Sequence, residues 1–238
     1  MKILAIETSS RVATCAVMDD ENLLGEYIIN DNLTHSVKLM PNIKMLMDNL
    51  GLKPEDIDVF AAAVGPGSFT GLRIGIASIK AMAHAHDKPV VAIPTMDALA
   101  FNIPFADGII VPMIDARRDR VYTGIYKWVD GKFSIQMEQD VLELKNMIEK
   151  LKEKHEKIII NGDVKEKYGD ILKEKLGEKI IFSTNSTKMP RASSVAELAL
   201  IRAQNGDTID YKNLVPEYLR KSQAEREYDE KMRIVSNE

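Results

Sequence analysis

Two acids in this chain stand where a phosphate-binding protein would place them. Glu7 follows the apolar run Ile3-Leu4-Ala5-Ile6 and opens the polar turn Thr8-Ser9-Ser10-Arg11, after which apolar residues return from Val12 to Val17. Asp115 follows Ile109-Ile110-Val111-Pro112-Met113-Ile114 and opens Ala116-Arg117-Arg118-Asp119-Arg120, ahead of Val121 to Tyr126. An acid ending a buried strand can hold magnesium through water while hydroxyls of the following turn donate to phosphate. Close approach of a phosphate to backbone amides needs a small turn, usually one built on glycine. Neither turn contains a glycine, and the second is crowded with arginine. The pair reads as a nucleotide-binding arrangement that has lost its own chemistry, with Thr8 and Ser9 satisfying local backbone groups instead. The alternative is a small-molecule kinase or ATPase with Glu7 and Asp115 at Mg-nucleotide.

The remaining candidates are weighed in the same way. Gly65-Pro66-Gly67-Ser68-Phe69-Thr70-Gly71-Leu72-Arg73-Ile74-Gly75 is a glycine-rich loop that runs into a helix. A helix N-terminus can bind an anion, but the spacing is not that of a Walker loop and no lysine follows the last glycine. Gly71 and Gly75 lie four apart, one above the other on a helix, and close packing is their expected use. His84 and His86, two apart, point away from each other and cannot form a metal pair. His155 lies in a charged helix, and no histidine–carboxylate cluster has the spacing of a metalloprotease, so no metal site is expected. Cys15 sits on an apolar strand, where a lone thiol is a core filler.

These residues need elements to position them. The sequence predicts a hairpin over 3–18, a third strand over 23–29 and a helix over 34–50, with Gly51 as its stop. A strand over 57–64, a helix from about 70 to 86 capped by Ser68 or Thr70, a strand over 90–93 and a short helix over 95–101 follow. The second hairpin and its meander, with a turn at Asp130-Gly131, precede a charged helix over 142–157. Strand 158–160, helix 168–176, strand 180–182 and helix 194–205 complete the order. That is one α/β unit used twice, with lobes expected at 1–105 and 106–238 and a boundary near Pro104 and Gly108. The chain has 238 residues, 45% hydrophobic and 29% charged, with net charge −4. It is long enough for a large core and carries no global basic excess of the kind a nucleic-acid binder shows. A single cysteine suits a reducing cytoplasm, and no stretch has the form of a membrane span or signal peptide.

Together, Ile6-Glu7-Thr8-Ser9, the stretch from Gly65 to Gly75, Asp115-Ala116-Arg117-Arg118 and Pro216-Glu217-Tyr218-Leu219-Arg220 resemble the TsaB (YeaZ) family over essentially the whole chain. The glycine stretch is the most specific of the four. The resemblance implies an actin-like, two-lobed α/β fold of the kind shared by sugar kinases and actin ATPases. It implies an accessory role in making threonylcarbamoyladenosine at position 37 of tRNA, beside a catalytic paralogue, TsaD, with no catalytic residue and no cofactor of its own. It further implies a TsaE-like ATPase reached through the complex, indirect contact with tRNA, and a homodimer when the chain is alone. TsaD holds its metal with two histidines after the strand matching Val90–Ile93. This chain has Pro94-Thr95-Met96-Asp97-Ala98-Leu99 there. In the family the first helices of the N-terminal lobe pack as a bundle against those of the partner. The residues expected at that interface are Val37, Met40, Met47, Gly71, Leu72, Gly75, Ile79 and Met82, because the two helices present more apolar surface than one sheet is expected to cover. A metalloprotease is disfavoured by the missing metal pair. A homodimeric adaptor unrelated to tRNA is a further reading of the same surface.

Overall fold

A computed structural model describes residues 1–30 and 35–220, the side chains of 35–37 aside. The expected helix start at Thr34, the side chains of His35 and Val37, and the chain beyond Arg220 lie outside the described residues.

The first unit contains β1 (Ile3–Glu7), β2 (Ala13–Met18), β3 (Leu23–Ile29), α1 (His35–Leu50), β4 (Val59–Gly65), α2 (Phe69–Ala85), β5 (Val90–Pro94) and α3 (Thr95–Phe101). Its sheet runs β3-β2-β1-β4-β5, antiparallel through the meander and parallel from β1 to β5. The second unit contains β6 (Ile109–Asp115), β7 (Arg120–Val129), β8 (Lys132–Glu143), α4 (Leu144–Lys152), β9 (Ile158–Gly162), α5 (Lys165–Leu176) and β10 (Ile180–Phe182). Its sheet runs β10-β9-β6-β7-β8, with β6 parallel to β9 and antiparallel to β7. Read from the meander edge inward, the two orders are the same. The chain is an actin-like α/β protein with one topology used twice.

The central strands β1 and β4 are buried along their whole length. Helices cover both faces of the parallel part, which is why those strands read as unbroken apolar runs. On one face α1 and α2 lie side by side over Leu4, Ile6, Cys15, Phe60 and Ala62. On the other, α6 (Ala192–Gln204) brings Val195, Ala196 and Ala199 against Ile3, Ala5, Ala61 and Val91. A second core fills the space under α4 and α5. Between the sheets, α3 packs Met96, Leu99 and Ala100 against Ile110, Ile114 and Tyr126. A cut near residue 105 therefore separates the strands of the two sheets but not their helices. Residues 192–204 pack on the first sheet, as does the segment in which Ile209 bridges to Val90 and Leu214 joins the first core.

Two sequence expectations are corrected. The helix expected over 142–157 spans only Leu144–Lys152, because β8 continues to Glu143. β7 is ten residues long, and β8 pairs with it as far as Arg120 opposite Glu143. The stripe expected to face a partner is largely internal. Met47 is 4% exposed, while Leu72 and Ile79 are 0% exposed. Met40 is open at 46%, and Met82 is half-buried. Most of the apolar surface of α1 and α2 is covered within the chain, by the sheet and by the flank of the other helix, and Met40 and Met45 remain exposed. Gly71 and Gly75, the remaining members of that stripe, also face inward, toward β1. Helical period shows which residues share a face, but not what lies against it.

Candidate functional site

The two acid turns face a cleft between the sheets with a volume of about 1000 Å³. They reach it in different conditions. In the first turn Glu7 is fully buried and does not line the cleft. Its Oε1 accepts from the Ser9 N–H at 2.7 Å, and its Oε2 has no hydrogen-bond partner. Burial raises its pKa to about 7, against the hydrogen bonds from Ser9 that favour the charged form. The reason it is sealed lies in α2. Thr8 Oγ1 donates to the Gly71 carbonyl at 2.9 Å. A Cβ on Gly71 would overlap the Thr8 carbonyl, and one on Gly75 would overlap Thr8 Oγ1. Upstream, Ser68 N–H donates to the Ser9 carbonyl at 2.6 Å, and a Cβ on Gly67 would strike Ser9. Ser68 also caps α2, accepting from Gly71 N–H at 3.2 Å. The glycine stretch thus packs against the turn that would otherwise receive phosphate.

The second turn is open. Arg117, Arg118 and Asp119 have φ of 62°, 55° and 51°, a left-handed run that is costly for residues with a Cβ. The surroundings hold it. Asp115 Oδ1 accepts from Arg117 N–H at 2.9 Å, Ala116 N–H donates to the Arg120 carbonyl at 2.9 Å, and Leu144 N–H donates to the Asp119 carbonyl at 2.8 Å. Asp115 Oδ2 pairs with Lys167 at 3.0 Å. Asp163 accepts from the Asp115 N–H, and burial holds its carboxyl above the usual range. Magnesium would have to displace that lysine, and the turn offers it no glycine.

A strap from residue 214 to residue 220 joins the two sides. Glu217 N–H donates to the Val64 carbonyl at 2.7 Å. Tyr218 stacks on Phe69 with centroids 4.8 Å apart and accepts from Arg73 Nε at 2.9 Å. The Arg73 guanidinium lies 3.8 Å from the Phe69 centroid. Arg220 donates to the Ala116 and Arg117 carbonyls across the cleft. Two stretches that resemble family motifs, 145 residues apart at Arg73 and Tyr218, are halves of one contact. Gln139 of β8 completes the joint, donating to the Gly65 carbonyl at 3.1 Å and to Glu217 at 2.9 Å.

Several of these residues carry no signal in the sequence. Gln139 sits in an ordinary alternating strand. Asp97 is 3% exposed, accepts from Tyr126 OH at 2.9 Å and lies 3.4 Å from Arg202. Burial raises its pKa to about 6. Its only trace in sequence is an acid inside an apolar helix. Glu26 pairs with Arg191 and accepts from Ser193 N–H at 2.9 Å, tying α6 to β3. Cys15 is buried, and burial pushes its thiol up to about 12, which makes it an inert core residue. Among the described residues no group of three metal-ligating side chains converges, and no helix is long and apolar enough to cross a membrane.

The fold defines a class: actin-like α/β proteins. A family model described as TsaD, tRNA N6-adenosine threonylcarbamoyltransferase, matches residues 22–228. The Bacillus subtilis (strain 168) protein named tRNA threonylcarbamoyladenosine biosynthesis protein TsaB is 34% identical over 230 residues, which cover 97% of this chain and 99% of that one. The Escherichia coli (strain K12) protein of the same name is 24% identical over 227 residues, 94% of this chain and 96% of its own. The chain belongs to the TsaB (YeaZ) family. A solved structure of YeaZ from Pseudomonas aeruginosa matches with TM-score 0.76 at 23% identity, covering 91% of this chain and 99% of its own. The ROK hexokinase of Thermus thermophilus, at TM-score 0.51 and 10% identity, covers 87% of this chain and 100% of its own, and extends the likeness in fold to sugar kinases.

Proposed function

We propose that this chain is a non-catalytic subunit of tRNA threonylcarbamoyladenosine biosynthesis, which binds and positions a TsaD-like catalytic paralogue for transfer of threonylcarbamoyl to adenosine 37. The observation that carries this reading is the complete burial of Glu7, in a turn against which Gly71 and Gly75 pack at Thr8. It occurs in a chain that aligns almost end to end with a protein named for that pathway. A carboxylate at 0% exposure, outside the cleft wall, is not positioned to meet Mg-nucleotide. The kinase alternative needs that acid open.

The partner face is the outward side of α1 and α2. It comprises the exposed Met40, Met45, Ala77 and Ala81, with Ile74 and Met82 half-buried beside them. Methionines and small residues at helical spacing suit close, exchangeable packing of helix on helix. Met47, Leu72, Ile79, Gly71 and Gly75 support that face from within. The same face forms a homodimer when the paralogue is absent, so the two assemblies compete. A TsaE-like ATPase joins through the complex, and the cytoplasm is where the substrate tRNA is met.

Co-purification with the histidine-bearing paralogue of the same cell, and a modification assay with and without this chain, is the test. Met40→Lys is expected to abolish both dimers and tRNA modification while the monomer stays folded. A folded, monomeric Met40→Lys that still supports full modification overturns the positioning role. Micromolar Mg-ATP binding by the isolated chain, about 8 kcal/mol, lost in Glu7→Ala, makes the kinase reading the better one.

A further inference from the structure

One cation at the border of the outward α2 face is built into an aromatic mount. Arg73, Ala77 and Ala81 are exposed on successive turns of α2. On the flank beside that row the helix carries the strap. Lys80 Nζ donates to the Lys212 and Leu214 carbonyls at 3.0 and 3.2 Å, and the His84 ring lies against Tyr211 with centroids 4.9 Å apart. Arg73 stands where the face and the strap meet. Its guanidinium lies 3.8 Å from the Phe69 centroid and 5.9 Å from that of Tyr218, and its Nε donates to the Tyr218 hydroxyl at 2.9 Å. These contacts fix the plane of the group and engage one of its five N–H donors. The strap is itself held, by Glu217 N–H on the Val64 carbonyl and by Gln139 on the Glu217 carboxylate.

The mounted charge has no acid of its own. α2 contains neither Asp nor Glu, and Glu217 is the one acid between residues 214 and 220. Among the described residues the terminal amino groups of Arg73 have no hydrogen-bond or ion-pair partner, and the Tyr218 hydroxyl proton has no acceptor. A guanidinium edge and a phenol O–H, side by side and held still, fit one carboxylate. Their surroundings are apolar, with Val215 61% exposed beside Tyr218 at 40%. A partner that covers these residues excludes water from the pair and strengthens it. The helices of a second copy offer no free acid: α1 and α2 together hold only Asp48, which Lys44 engages at 2.6 Å.

We propose that Arg73, mounted on Phe69 and Tyr218, takes a carboxylate of the catalytic paralogue and so selects the paralogue over a second copy of this chain. This rests on the accessory-subunit reading above and gives its partner face a specificity. The methionines and alanines of α1 and α2 pack with either partner, whereas the guanidinium is matched by one. Such a charge at the border of an interface acts on partner choice and association rate more than on packing.

The test uses the full chain, the paralogue of the same cell and Arg73→Glu in this chain. Heterodimer kinetics are read by surface plasmon resonance over a salt series, and self-association by sedimentation. The expected result is a heterodimer Kd raised on the order of tenfold at low salt, mainly through slower association, with the difference fading as salt rises. The homodimer Kd is expected to change by less than about twofold, since the packing residues are untouched. Tyr218→Phe keeps the stack and removes the hydroxyl, and should raise the heterodimer Kd about threefold. One Asp or Glu of the paralogue, changed to Lys, should restore binding to Arg73→Glu. An unchanged heterodimer Kd in Arg73→Glu overturns the proposal, as does equal weakening of both dimers or the absence of any restoring exchange. Arg73→Met keeps an apolar stem on Phe69; if it unfolds as well, the residue is structural and the proposal falls. A raised Kd for tRNA with the heterodimer intact makes the mount a nucleic-acid contact instead. A wild-type chain that forms no heterodimer defeats the accessory reading itself, whereas a wild-type heterodimer that Arg73→Glu leaves intact defeats only this inference.

Discussion

The two hairpin turns begin alike and end in opposite states. Both follow a buried strand, both open with an acid, and both sit at the same place in a repeated sheet order. In the first, Gly71 and Gly75 of α2 pack against Thr8, and the Glu7 carboxylate is buried while Ser9, Ser10 and Arg11 line the cleft. In the second, three consecutive left-handed residues are held open by side chains around them. The two units therefore share a topology and differ in the surroundings of the acid. The glycines that look like a phosphate loop pack against the turn whose carboxylate is buried, and the turn whose carboxylate lines the cleft has arginine where glycine would serve a nucleotide.

The sharpest way to break the contrast is to add one methyl to the first turn. Gly71→Ala drives a Cβ into the Thr8 carbonyl, a backbone atom that cannot rotate aside. A loss of at least ~3 kcal/mol in unfolding free energy is expected in urea. Gly75→Ala meets a side-chain oxygen instead, so Thr8→Ala should rescue Gly75→Ala and not Gly71→Ala. Equal rescue of both would mean that the helix shifts as a body.

The buried Glu7 sets a pH dependence of the next size. Its folded pKa, about 7, lies above the ordinary 4.5, so the native state holds its proton longer than the unfolded chain. Stability then falls as pH rises from about 4.5 to 7, by about 3 kcal/mol. Glu7→Gln has no such proton to lose, and its denaturation midpoint should change less across that window. Parallel curves for the two proteins would show that the carboxylate is solvated after all.

Arg220→Ala tests what holds the second turn. It removes charge-assisted bonds to the Ala116 and Arg117 carbonyls, and a loss of about 2 kcal/mol is expected. Amide exchange at Arg117 and Arg118 should rise more than in the first turn. The smallest effect carries the opposite sign. Arg118→Gly relieves a left-handed residue and should stabilise the chain by less than about 1 kcal/mol, since glycine also loosens the unfolded state. A destabilisation there would mean that the arginine side chain supports the turn.

Much of this contrast was legible in the residues. Gly71 and Gly75, four apart, marked a packing face. Cys15 on an apolar strand read correctly as core. The interface stripe did not, because Leu72 and Ile79 share the period of exposed neighbours and only the tertiary arrangement decides which side faces the sheet. Long-range polar partners were equally invisible. Gln139 meets Glu217 across 78 residues, and Arg191 meets Glu26 across 165. No local pattern encodes such pairs. The end of β8 was missed for a related reason: its last residues are fixed by the length of β7, not by their own propensity.

The return of α6 to the first sheet has a consequence for how the molecule is made. One face of β1, β4 and β5 stays bare until residues 192–204 arrive to cover Ile3, Ala5, Ala61 and Val91. A ribosome that has released the first hundred residues has released every strand of that sheet and only one of its two coats. The nascent half-protein must wait, apolar side out, while the whole second sheet is translated, and during that interval it is a natural client for chaperones. Helix α6 then closes the oldest part of the chain, so a truncation ahead of residue 192 would be sensed by the part that was made first.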